Sequence, residues 1–181
     1  MTEIPNLQTE RLILRPFSPK DAPDVQRLAG DVAVSDTTLN IPHPYEDGMA
    51  EEWISTHQAV FDEGDGVTFA ITLRETGELV GAISLRTATR FHRAEMGYWI
   101  GEPYWGKGYC TEAAKAVIAY GFDELNLNRV LAYHLARNPA SGRVMEKAGM
   151  SYEGHLRQHT FRHGVYEDLK LYGIVRDDVI N

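Results

Sequence analysis

Apolar side chains recur at helical spacing in one long segment of the chain and at strand spacing in several short ones. Beyond residue 110 the apolar positions are three and four residues apart, while Glu112, Lys115 and Asp123 occupy other positions. This spacing predicts an amphipathic helix that packs one face against a sheet. The apolar face of this helix consists of Ala113, Ala114, Val117, Ile118, Gly121, Phe122 and Leu125.

Shorter apolar or alternating runs predict strands, and turn-forming residues such as Gly77 and Gly164 separate them into hairpins. Further helices are predicted from about residue 19 with Ser18 as the N-cap, over residues 47–61, and from Asn138 to about residue 148. The predicted strands cover residues 9–16, 67–73, 79–85, 95–101, 129–135, 154–162 and 165–174.

The order of these elements predicts a mixed α/β domain, an antiparallel meander followed by one strand–helix–strand crossover. Because such crossovers are right-handed, the strands around Met96 and Val130 should be parallel neighbours. The turn after the first of them lies at the carboxyl end of that strand, where open α/β sheets bind ligands. The length of 181 residues suits one domain, residues 1–181.

Two glycines in that turn, Gly106 and Gly108, directly precede the long helix. Glycine allows the backbone to turn its N–H groups inward, and the N-terminal end of the helix adds a positive dipole. An anionic ligand such as a phosphate is therefore expected, although an ordinary tight strand-to-helix turn would use the same residues. The glycine spacing matches neither a P-loop nor a Rossmann fingerprint, since Thr111 stands where the latter needs a small residue.

Composition limits the ligands that the chain can attract. The formal net charge of −8 gives no general attraction for nucleic acid or an anionic membrane, so phosphate binding depends on local groups such as Lys107, Arg143 and Lys147. The single cysteine, Cys110, excludes an internal disulfide, and the seven histidines show no metal-ligand spacing. We expect no metal, no long apolar membrane span and a cytoplasmic location.

Four segments of the chain, in order, resemble the GNAT superfamily of acetyl-CoA-dependent N-acetyltransferases, in its RimJ/RimL-like branch of ribosomal-protein N-terminal acetyltransferases. They are LQTERLILRPF from Leu7, IPHPY from Ile41 with Trp53 nearby, PYWGKGYCTEA from Pro103, and NPASGRVMEKAGM from Asn138. Pro103 departs from the Gln or Arg usual at that position. The resemblance implies a GNAT fold: a mostly antiparallel twisted sheet with helices on both faces and one parallel strand pair splayed at the cofactor site.

The resemblance also implies acetyl-CoA as cosubstrate and a set of residues that bind it. From the residues alone, Asn138 before Pro139 is also what a plain helix start looks like. The implied cofactor-binding residues are Trp99, Ile100, Gly106, Lys107, Gly108, Tyr109, Thr111, Asn138, Ser141 and Lys147.

Glu95 and Ser141 are the implied catalytic residues. Strand alternation places Glu95 on one face with Gly97 and Trp99, and an acid in this strand of the family acts as general base on the incoming amine. The alternative for Glu95 is an ion pair with Arg90 or Arg93. Met145 stands where many relatives carry a tyrosine acid, which leaves the Ser141 hydroxyl to assist the departing thiolate.

Aromatic and polar residues could line the acceptor side of the cleft, although side chains of these types also serve in core and lid packing. We assign Tyr45, Trp53 and His92 to this side, with Phe91 and Tyr166 as further candidates. The acceptor is a primary amine, either a protein N-terminus or a small molecule. A non-catalytic acyl-CoA sensor or partner-binding module is the alternative function, and exposed strands in the C-terminal hairpin would allow a homodimer.

Overall fold

The computed structural model describes residues 3–180, which form one eight-stranded sheet with helices on both faces. The strands are β1 (Leu7–Gln8), β2 (Leu12–Arg15), β3 (Gly66–Leu73), β4 (Leu79–Ala88), β5 (Arg93–Ile100), β6 (Arg129–Leu135), β7 (Ser151–Arg162) and β8 (Val165–Val175). The helices are α1 (Ala22–Ala29), α2 (Val32–Ser35), α3 (Met49–Ser55), α4 (His57–Asp62), α5 (Tyr109–Asp123), α6 (Pro139–Lys147) and α7 (Asp177–Ile180).

The strands lie in the order β1-β2-β3-β4-β5-β6-β8-β7, and every neighbouring pair is antiparallel except β5 and β6. The predicted mixed sheet with one parallel pair is thus confirmed. The parallel ladder pairs Arg93 with Arg129, Ala94 with Val130 and Glu95 with Leu131, and ends there. Both strands continue without pairing to each other, so they separate toward their carboxyl ends.

Two local predictions were wrong because side chains redirect the backbone. The first predicted strand, residues 9–16, starts too early: β2 begins at Leu12, because the Thr9 side-chain oxygen accepts a hydrogen bond from the Leu12 amide at 3.0 Å and closes a turn between β1 and β2. The predicted helix over residues 47–61 is divided into α3 and α4 at Thr56, whose hydroxyl donates to the Trp53 carbonyl at 2.8 Å. Such a bond competes with the regular helical pattern.

Alternate residues of β5 enter two separate apolar layers. Met96 packs with α5 and β6 in the larger cluster, whereas Trp99 packs with α1 and α3 in the smaller one. Glu95 therefore faces the α1 and α3 layer, and Tyr98 faces α5 and α6, as strand alternation predicts. No helix within residues 3–180 is long and apolar enough to cross a membrane.

Helix α6 approaches β6 closely through Gly142. A Cβ at this position would lie 2.7 Å from His134 Nε2 and 3.3 Å from the Tyr172 hydroxyl. We predict that Gly142→Ala lowers the free energy of unfolding by roughly 1–3 kcal/mol through overpacking. Urea unfolding followed by circular dichroism measures this change.

Gly154→Ala is the matched control, because a Cβ on Gly154 would meet no heavy atom within 4 Å. We expect this variant to unfold at the wild-type midpoint or slightly above it, since alanine restricts the unfolded chain. Equal midpoints for the two variants would contradict the close contact between α6 and β6.

Candidate active site

The separation of β5 from β6 opens the sheet onto two cavities. The cavity of about 360 Å³, here named the α5 cavity, lies between the end of β5, the glycine turn and α6. The cavity of about 580 Å³, named the α3 cavity, lies between α3, residues 37–42, β5 and β6. The two share a wall made of Thr37, Thr38, Tyr98, Trp99 and Ser141.

The glycine turn has the geometry of an anion site. Gly106 and Gly108 adopt φ values of +73° and +80°, and a Cβ on Gly106 would meet no heavy atom within 4 Å. The backbone amides of residues 106–111 donate no hydrogen bond within residues 3–180. Unpaired amides at the N-terminus of a fifteen-residue helix form a cradle for phosphate oxygens.

The α5 cavity brings together nearly all of the sequence-predicted cofactor residues. Arg143 adds a second cation beside Lys147, and no carboxylate among residues 3–180 lines the cavity. Lys107 is the exception, because its ammonium lies over the Tyr104 ring, 5.5 Å from the centroid, and does not line the cavity. The predicted residues that do line it are Trp99, Ile100, Gly106, Gly108, Tyr109, Thr111, Asn138, Ser141 and Lys147.

Glu95 lies on the other side of the shared wall and lines the α3 cavity. Its carboxylate is 35% exposed and lies 3.3 Å from the guanidinium of Arg86, the residue directly across on β4. The ion-pair partner is therefore Arg86, whereas Arg90 and Arg93 both stack on Phe91. A partly solvated carboxylate beside an exposed arginine remains accessible to an entering ligand.

The acceptor-side residues divide into two groups. Tyr45 and Trp53 line the α3 cavity as assigned, and burial, together with the charge of Glu51, raises the pKa of Tyr45. His92 lies in the β4–β5 turn at φ +48° and is exposed outside both cavities, where its carbonyl accepts a hydrogen bond from the Asn128 amide at 2.6 Å. The structure does not bring His92 near Glu95's cavity.

Sequence reasoning missed Tyr98, whose hydroxyl lies 2.8 Å from Ser141 Oγ and 3.1 Å from the Ser141 carbonyl oxygen. Burial raises the pKa of Tyr98 well above its ordinary value, so its phenol stays protonated and can donate to Ser141. Asn138 is the N-cap of α6 by position, but its side-chain amide donates to the Thr37 carbonyl at 3.4 Å instead of capping the helix. Both contacts join α6 to residues of the shared wall, the first to Tyr98 on β5 and the second to Thr37.

The Acetyltransferase (GNAT) domain family matches residues 11–151. The chain belongs to the GNAT acetyltransferase family. The Uncharacterized N-acetyltransferase YoaA of Bacillus subtilis (strain 168) is 34% identical over 173 residues, which are 95% of this chain and 97% of that protein. The ribosomal protein uS5-alanine N-acetyltransferase of Escherichia coli (strain K12) is 26% identical over 95% of this chain and 91% of that protein.

A solved structure of RimL, titled as a ribosomal L7/L12 alpha-N-protein acetyltransferase in complex with coenzyme A, has the same fold. It superposes with a TM-score of 0.87 at 19% identity and covers 96% of this chain and 99% of that chain. The predicted GNAT fold and the resemblance to ribosomal-protein acetyltransferases are thus confirmed. This chain is an N-acetyltransferase of the GNAT family.

A brace from the N-terminal hairpin holds the glycine turn of this GNAT chain. Glu112, in the first turn of α5, accepts hydrogen bonds from the Thr9 hydroxyl at 2.6 Å and the Arg11 guanidinium at 2.7 Å, and Arg11 also donates to the Lys107 carbonyl at 2.9 Å. Burial would raise the pKa of Glu112, but these hydrogen bonds together lower it below its ordinary value. No local signal predicts the brace, because its partners are about a hundred residues apart.

We predict that Glu112→Gln lowers the free energy of unfolding by about 1–3 kcal/mol at pH 7, since the variant loses charge-assisted hydrogen bonds. A carboxylate with a lowered folded-state pKa contributes stability above its unfolded pKa, and this contribution is lost as the pH falls through the folded value. The difference from wild type should therefore shrink below about pH 4, in thermal melts recorded across pH.

Glu124→Gln tests whether the effect is specific to the brace. It removes the same charge at the other end of α5, where a carboxylate opposes the helix dipole, and should not destabilise the protein. A loss from Glu112→Gln that is independent of pH would argue against the ionised brace.

Proposed function

We propose that this GNAT chain transfers an acetyl group directly from acetyl-CoA to a primary amine, with both substrates bound in one ternary complex. The observation that carries the proposal is the shared wall of the two cavities. The α5 cavity presents free amides and cations for an anion, and the α3 cavity presents a carboxylate, Glu95. The two meet at Tyr98, Trp99 and Ser141, where the strands separate.

The hydrogen-bond donors and cations that line the α5 cavity suit coenzyme A. The amides of residues 106–111 would hold the diphosphate, with Arg143 and Lys147 adding charge. The amide-rich arm would lie along the unpaired edge of β5 beyond Glu95, as an added strand does. When bound, acetyl-CoA supplies an acyl group activated as a thioester.

Glu95 takes the role of general base. An ammonium has no lone pair and cannot attack a carbonyl carbon, so the acceptor must lose a proton first. A Glu95 carboxylate oxygen receives this proton directly or through one water, and the Arg86 guanidinium lies 3.3 Å from the same carboxylate. The free amine then faces the gap between β5 and β6.

Ser141 and Tyr98 assist the departure of the coenzyme A thiolate. The Tyr98 phenol can donate to the Ser141 oxygens, which fixes the orientation of the Ser141 hydroxyl. That hydroxyl is then free to donate a hydrogen bond toward the departing sulfur. Because a thiolate with a pKa near 8.5 is a tolerable leaving group, this assistance is modest in size.

We expect Ser141→Ala to lower kcat roughly tenfold with little change in the KM for the amine, because the hydroxyl acts only as the thiolate departs. Steady-state kinetics with thiol detection separates the two constants. Tyr98→Phe should give a smaller loss of kcat, since Ser141 keeps its hydroxyl but loses its orienting donor. A larger loss from Tyr98→Phe than from Ser141→Ala would reverse these roles.

The main test of the proposed function is a thiol-release assay with a panel of small amines and peptide N-termini. Wild type should release thiol with at least one acceptor, and Glu95→Gln should lower kcat/KM by roughly 10²-fold at neutral pH. The affinity of the variant for coenzyme A, measured by calorimetry, should stay at the wild-type value.

Arg86→Gln is the control, because it removes the ion pair but keeps the carboxylate, and it should change kcat/KM by several-fold at most. An unchanged kcat/KM in Glu95→Gln would remove Glu95 from the mechanism. Tight binding of coenzyme A without acetyl transfer to any acceptor would favour the non-catalytic sensor.

A further inference from the structure

Charge is sorted between the two cavities. The α3 cavity is lined by two carboxylates, Glu52 and Glu95, and by no lysine or arginine among the described residues. The α5 cavity is lined by Arg143 and Lys147 and by no carboxylate among residues 3–180. The charged side chains that line the two cavities are thus of opposite sign, and of the two carboxylates in the α3 cavity Glu95 is the one paired with Arg86, at 3.3 Å.

The Glu52 side chain is not used in a hydrogen bond or ion pair within residues 3–180. It lies in the first turn of α3 and is exposed. Glu95, in contrast, is already assigned to the amine that reacts. The α3 cavity thus carries a second negative charge that the proposed reaction does not use.

His134 also lines this cavity, but its Nε2 faces α6, where it lies 2.7 Å from the position that a Cβ on Gly142 would take. It is 5% exposed, and its Nδ1 lies 2.7 Å from the Leu135 carbonyl oxygen, which can only accept a hydrogen bond. The proton is therefore on Nδ1, and Nε2 is a lone pair with no partner in the described structure. Burial lowers the pKa of His134, so the ring adds no positive charge at neutral pH.

The remaining wall suits an apolar spacer. The rings of Tyr45, Trp53 and Tyr133 also line the cavity. Aromatic faces attract cations and pack against alkyl chains. A ligand that complements this wall carries positive charge at two places, joined by an apolar segment.

We propose that the acceptor is a dication, a primary amine that reacts at Glu95 and a second cationic group that binds at Glu52. The proposal rests on the proposed function and names its substrate class. An alkyl diamine and a peptide N-terminus followed by a basic side chain share this chemistry. A neutral or anionic group at the second position would leave the Glu52 carboxylate without compensation as the ligand displaces water.

The test compares acceptors that differ only in the second charge. Hexylamine is compared with hexamethylenediamine, and a tripeptide with leucine at its second position is compared with the same tripeptide carrying lysine. Wild type should prefer the dication of at least one pair by roughly tenfold or more in kcat/KM. A preference within the amine pair identifies a free diamine as the source, and one confined to the peptide pair identifies a polypeptide.

Glu52→Gln should remove the preference by lowering kcat/KM for the dication alone, with the monocation unaffected. Glu51→Gln is the matched control, because Glu51 is the neighbouring exposed acid on α3 and does not line the cavity. It should keep the preference. Calorimetric titration of hexamethylenediamine into the complex with coenzyme A should show the same dependence on Glu52.

Two results would overturn the inference while the proposed function stands. The first is equal kcat/KM for the members of both pairs, and the second is a preference that survives Glu52→Gln. Absence of thiol release with every acceptor would instead reject the proposed function, and the dication with it. These failures are therefore distinguishable in one assay.

Discussion

The early end of the ladder between β5 and β6 is the constraint on which the site depends. After Glu95 pairs with Leu131 the strands diverge, although β5 continues to Ile100 and β6 to Leu135. Backbone groups along the opened edges need partners, and a ligand rich in amides can supply them. The contact between Tyr98 and Ser141 ties β5 to α6 across this opening, so the width of the gap is fixed by side chains rather than by the sheet.

Strand alternation then decides which chemistry appears on which side of the gap. Glu95 points toward α1 and α3, while Tyr98, three residues later, points toward α5 and α6. Glu95 and the Tyr98 phenol that contacts Ser141 thus lie on opposite faces of one strand. A slip of one residue in the register with β4 would exchange these faces and bury the carboxylate in the larger apolar layer.

The sequence predicts those structural features that depend only on residues close together in the chain. The spacing within α5, the Gly106 and Gly108 turn and the face of Glu95 follow from local period and backbone freedom, and each is present in the fold. Contacts between distant segments were not predictable. Glu112 is hydrogen-bonded to Arg11, which is 101 residues away along the chain, and Tyr98 to Ser141, which is 43 residues away. The order of the strands in the sheet brings these residues together. His92 was expected on the acceptor side from its residue type and its neighbours in the chain. It lies instead in the β4–β5 turn and lines neither cavity.

The brace also explains how an acidic chain can leave the start of α5 without an uncompensated negative charge. A carboxylate in the first turn, such as Glu112, stabilises the helix through its interaction with the helix dipole. The same carboxylate would repel a phosphate bound at these amides. The Arg11 guanidinium neutralises Glu112, and its terminal nitrogen lies 3.3 Å from where a Cβ on Gly108 would be. The helix thus retains its acid without an uncompensated negative charge at the turn. A net charge of −8 is therefore compatible with binding a polyanion, because what matters is the field at residues 106–111.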